Sequence, residues 1–226
     1  EERLQFSPRF GFNWDINGNK RSQLRGGIGI FTSRAPLVWV GGAYNNNGFN
    51  RGTVLRFGDL AFEPNINNQP PGDIDPNNPT PSGDVDLFSE DFQLPQFLKT
   101  NVSFDQKLGN GLVANFDVLV TNTLTNVAYQ NVNLKPAIGS LEGTPDTRLI
   151  YDRRDEIDPT YGRVLLGYNV NQGYAYNLSA SITKNYSDNF FMTAAYSYGD
   201  SYSVFDGTSS QNSSQWRGLH AVNGRN

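Results

Sequence analysis

Over long stretches of this chain, side chains alternate between apolar and polar with a period of two, and that pattern limits the fold more than any other feature. The cleanest stretch puts Leu112, Ala114, Phe116, Val118 and Val120 on one side, and Val113, Asn115, Asp117, Leu119 and Thr121 on the other. A helix would scatter these two sets around its circumference, whereas a strand sends them to opposite faces. The same alternation places Phe6, Pro8, Phe10, Phe12, Trp14 and Ile16 against Ser7, Arg9, Gly11, Asn13 and Asp15. The chain reads as all-β.

Six strands are expected, over residues 5–16, 22–32, 94–107, 112–127, 173–184 and 190–202. Within each successive pair the link is short: Asn17-Gly18-Asn19, then Leu108-Gly109-Asn110-Gly111, then Tyr186-Ser187-Asp188-Asn189. Glycine and asparagine supply the positive φ that tight hairpins need. Between the pairs lie long connections, 33–93 and 129–172, and compact soluble domains seldom carry links of that length. Strands of about 11 to 15 residues also exceed the usual five or six, while a tilted bilayer crossing needs about 9 to 11.

Aromatics bracket an aliphatic band on the last two strands. Tyr174 and Tyr176 precede Leu178, Ala180 and Ile182, and Phe190 precedes Met192 and Ala194 before Tyr196 and Tyr198. That placement suits girdles at two membrane interfaces. The expectation is therefore an antiparallel transmembrane β-barrel segment with short turns inside and the long loops outside. Six strands cannot close a membrane barrel, since the smallest have about eight, and open edges in lipid leave backbone groups unpaired. The rest of the wall is expected from further chain.

Composition excludes several classes. A mean hydropathy of −0.53 and the lack of any long apolar run rule out helical spans, but a barrel wall exposes only alternate residues to lipid. A net charge of −4 speaks against nucleic acid as a partner, because phosphate binding needs clustered Lys and Arg. No cysteine is present, which removes disulfides, thiolate metal sites and cysteine nucleophiles together. The start at Glu1 shows no basic segment followed by an apolar one, so no signal peptide is read there. His220 is the one histidine, and nothing fixes a triad around it, so no enzyme is expected.

Candidate binding residues are few. Trp39 and Tyr44, in Pro36-Leu37-Val38-Trp39-Val40-Gly41-Gly42-Ala43-Tyr44, are read as aromatics facing a ligand near the mouth. Arg9, Arg25 and Asp117 fall on polar faces and point to the interior, to pair with one another, a plug or a ligand. The stretch Gly58–Phe92 holds eight acidic residues and no Lys or Arg. Within it Asp73, Asp75 and Asp84 have the alternate-oxygen spacing of a calcium loop, without its sixth-position glycine or twelfth-position glutamate. The bland reading of that stretch is a solvated, proline-stiffened loop, and no other cofactor is implied.

Several stretches resemble the barrel region of TonB-dependent receptors of Bacteroidota, especially the Oar-like group. They are Phe6-Ser7-Pro8-Arg9-Phe10-Gly11-Phe12-Asn13-Trp14-Asp15, Leu24-Arg25-Gly26-Gly27-Ile28-Gly29-Ile30-Phe31-Thr32 and Pro36-Leu37-Val38-Trp39. Later ones are Leu94-Pro95-Gln96-Phe97-Leu98-Lys99-Thr100-Asn101, Asp105-Gln106-Lys107-Leu108, Tyr129-Gln130-Asn131-Val132-Asn133-Leu134-Lys135-Pro136 and Gly173-Tyr174-Ala175-Tyr176-Asn177-Leu178. The resemblance implies a 22-stranded barrel in the bacterial outer membrane, of which this chain supplies roughly a quarter of the wall. It further implies ligand uptake, with the remaining barrel, a plug, the TonB complex and membrane lipid as partners. No plug, TonB box, carboxypeptidase-like N-terminal domain or terminal aromatic strand is read in the sequence. A porin-like or surface-adhesion barrel and a secreted all-β binding module stay open as alternatives.

Overall fold

The computed structural model describes residues 4–34, 36–48, 61–69, 83–143, 148–152, 156–187, 189–204 and 211–217. It is mainly strand: β1 (Arg9–Asp15), β2 (Ser22–Thr32), β3 (Val85–Phe88), β4 (Gln96–Gly109), β5 (Leu112–Asn131), β6 (Gly139–Ser140), β7 (Leu149–Ile150), β8 (Val164–Val170), β9 (Gly173–Ser187) and β10 (Phe190–Ser203). Helices α1 (Leu37–Asn45) and α2 (Asn212–Arg217) are short. The chain divides into two compact units.

The first unit comprises residues 1–34, 93–128 and 169–206. Its sheet runs β1-β2-β4-β5-β9-β10, and every neighbouring pair is antiparallel. Each hairpin turn follows from its residues. Asn110 and Gly111 both have positive φ, 51° and 73°, between the paired Gly109 and Leu112. That is the twist which matches a two-residue link to right-handed strands. Asn189 has φ 59° at the last hairpin. The first turn is wider than the expected Asn17-Gly18-Asn19. It extends from Asp15 to Ser22, with Lys20 at φ 58° and its N–H donating to Asp15 Oδ2 at 2.7 Å. β1 begins at Arg9 rather than residue 5, because Pro8 has no N–H for the ladder; its carbonyl still accepts from Ile30 at 2.9 Å.

The second unit comprises residues 35–92, 129–168 and 207–226. The sequence suggested long irregular loops over most of it, yet its described residues carry regular structure. β3 pairs with β8 in parallel, Val85 opposite Val164 through Phe88 opposite Gly167. The Pro36–Tyr44 segment is helical from Leu37, with Pro36 in extended geometry just before it. Trp39, buried on α1, is the hub of the core. Its ring lies 6.0 Å from Phe88 and 6.3 Å from both Phe92 and Tyr129, the last two edge to face. Val85 and Leu165 are buried too. Asn133 pins the chain below, its Nδ2 donating to the carbonyls of Asp158, Tyr161 and Gly162.

Candidate functional site

Register determines the chemistry of the two sheet faces. One cross-strand row reads Trp14, Leu24, Phe104, Phe116, Ala180, Tyr196. The next reads Phe12, Gly26, Val102, Val118, Leu178, Tyr198. Trp14, Phe116, Leu178, Tyr196 and Tyr198 are all exposed, and a continuous apolar patch of this kind marks a contact with lipid or another protein. At the far end of the same face Tyr174 stacks near Tyr176 at 6.4 Å and stands beside Tyr202 at 6.3 Å. Amphipathic rings collected at one strand end are what a membrane interface favours.

The opposite face is polar. Its rows read Asp15, Gln23, Asp105, Asn115, Ser181, Ala195 and then Asn13, Arg25, Ser103, Asp117, Ser179, Ser197. Arg25 Nη2 sits 2.6 Å from Asp105 Oδ2, and Asn115 Nδ2 donates to Asp105 Oδ1 at 2.5 Å. Gln23 Nε2 donates to Asn13 at 2.8 Å. Arg9 lies over the Phe31 ring, 4.4 Å from its centre. Asp117 is half-buried on this face, opposite Ser103 and Ser179. Arg9, Arg25 and Asp117 thus share one surface, but the ion pair of Arg25 is with Asp105, which the sequence did not single out.

In the second unit the named residues separate. Trp39 is 4% exposed and packs inward, so it is a core ring rather than one facing a mouth, because Phe88, Phe92 and Tyr129 enclose it. Tyr44, on the same helix, is exposed. Asp84 is gripped by Arg163, whose Nε donates to Oδ1 at 2.8 Å and whose Nη2 pairs with Oδ2. Asp73, Asp75 and His220 lie outside the described residues. Asp86, two positions on from Asp84, is buried and accepts from Asn46 Nδ2 at 2.8 Å. Burial, and then the charge of Asp86, push the Tyr129 hydroxyl well above the ordinary tyrosine value. Sequence reasoning passed over Asp86 and Asn212; the alternation of Asp84 and Asp86 with Val85 and Leu87 was the available signal.

Among the described residues no helix is long and apolar enough to cross a membrane. No curated protein matches the chain. Residues 1–226 match the family described as "Outer membrane beta barrel domain".

Proposed function

Because the chain belongs to the outer membrane beta barrel domain family, and so resides in the bacterial outer membrane, we propose that it forms part of the wall of a TonB-dependent receptor that takes up a ligand. The observation that carries this reading is the second unit. The long connections build a core of their own around Trp39, as a capture surface requires and a plain tether does not. The sequence resemblance to the Oar-like receptors supplies the TonB assignment. The open ends support a larger wall: among the described residues β1 pairs only with β2, and β10 only with β9. Unpaired strand edges in lipid cost several kcal/mol per group, so further strands complete the barrel in this reading, and a plug fills the polar interior.

The test uses the full-length protein purified in detergent. A receptor is expected to be captured by the isolated periplasmic domain of TonB and to give no steady conductance in a planar bilayer. Steady open-channel conductance without TonB capture would make it a porin.

A further inference from the structure

The second unit contains a cavity of about 410 Å³ between α1, the start of β3 and α2, bounded by Gly41, Gly42, Asp84, Asp86 and Asn212 among others. Its polar groups are not all satisfied. Asp86 is 6% exposed; Oδ2 is taken by Asn46, but Oδ1 is buried with no hydrogen-bond partner among the described residues. Asn212 is 4% exposed, and neither Oδ1 nor Nδ2 has a partner among the described residues. Buried polar groups are nearly always paired, so three unpaired atoms at one cavity point to something that occupies it. The charge is specific as well. Asp84 is balanced by Arg163, which leaves the Asp86 carboxylate as the uncompensated charge among the described residues of the lining. A Cβ on Gly42 would sit 3.0 Å from Asp86 Oδ2 and 3.9 Å from Asn212 Nδ2, so glycine keeps the space between them open.

We propose that this cavity binds a small ligand group that carries a primary ammonium beside an amide, as at the amino terminus of a peptide. The ammonium supplies the positive charge and the donors that Asp86 lacks, and the amide meets Asn212 with one donor and one acceptor. Pockets of this size commonly take small ligands with a few fixed polar contacts. The proposal rests on the receptor reading for its biological sense, but binding is measured without transport, so either can fail alone.

Isothermal titration of the full-length protein in detergent, with alaninamide as probe, tests it. Alaninamide is expected to bind, while N-acetylalaninamide, which has no ammonium, is expected to give no binding heat. Asp86→Asn should weaken alaninamide about tenfold or more, since loss of a charge-assisted bond is worth at least that factor. Gly42→Ala, which fills the space, should weaken it comparably and keeps the test alive if Asp86→Asn fails to fold. Equal binding of the acetylated probe, binding unchanged in both variants, or a response to calcium chloride with none to alaninamide would overturn the proposal.

Discussion

Arg25 on β2 reaches diagonally past its register partner Ser103 to hold Asp105 on β4 at 2.6 Å. The pair links two neighbouring strands on the polar face, and Asn115 of β5 adds a third through Asp105. Its strength is limited, because the Arg25 side chain is 49% exposed and exposed pairs are screened to below about 1 kcal/mol. Asp105→Ala is expected to lower barrel stability by no more than that, as read by urea unfolding in lipid vesicles. A loss several times larger would mean that the site is dry.

Val118 and Asn115 lie on opposite faces of one strand, in the middle of the apolar face and within the polar cluster respectively. Val118→Arg should cost about 2 to 4 kcal/mol of stability in a bilayer, as a cation on the lipid face near the midplane does. Asn115→Arg should cost much less, with Asp105 alongside to receive it. Heat-modifiable migration on gels compares the two, and equal assembly of both variants would reverse the face assignment.

Trp39 fills the centre of the second unit. Trp39→Ala removes a buried ring and should destabilise that unit by about 3 to 5 kcal/mol, while leaving the ladder from β2 to β9 protected. Hydrogen exchange separates these effects: faster exchange in residues 37–45 and 85–88, with unchanged protection in residues 98–106. Loss of protection in both would show that the two units unfold together.

Tyr129 carries an alkaline dependence. An acid whose folded-state value is raised contributes its full stabilisation below the unfolded value, here 10.0, and loses it as pH rises through the folded one. The second unit should therefore loosen above about pH 10, detected as faster proteolytic cutting within residues 61–69 or 148–152. Tyr129→Phe should blunt that rise, and an unchanged profile would assign it to another group.

The long connections should face outward. An epitope inserted at Asn67, in an exposed stretch of the described residues, is expected to be stained on intact cells. Staining only after the outer membrane is permeabilised would invert the topology.

Parts of this architecture could be read directly and parts could not. The faces of β4, β5, β9 and β10 are visible in sequence because lipid on one side and polar interior on the other force strict alternation through Phe116, Val118, Leu178 and Ala180. The pairing of β3 with β8 leaves no such trace. Val85–Phe88 is only four residues long, sits in an acidic stretch, and pairs with a strand far along the chain that leaves Val85 and Asp86 buried, so Asp86 looks locally like another solvated acid. Trp39 misled for the same reason: Leu37, Val40 and Tyr44 on its helix are exposed, and the rings that enclose it come from distant positions. Arg25 could be placed on the polar face by parity alone, but its pairing with Asp105 depends on the register of β2 against β4, which alternation does not determine.

The parallel pairing in the second unit also sets an order of events. Asp84 and Arg163, at the start of β3 and β8, are 79 positions apart, and the whole β4–β5 hairpin is synthesised between them. That hairpin closes through a two-residue turn, and local contacts of this kind form before distant ones. β3 should therefore find its parallel partner β8 later than the β4–β5 hairpin closes. The second unit should be the last part of the chain to mature.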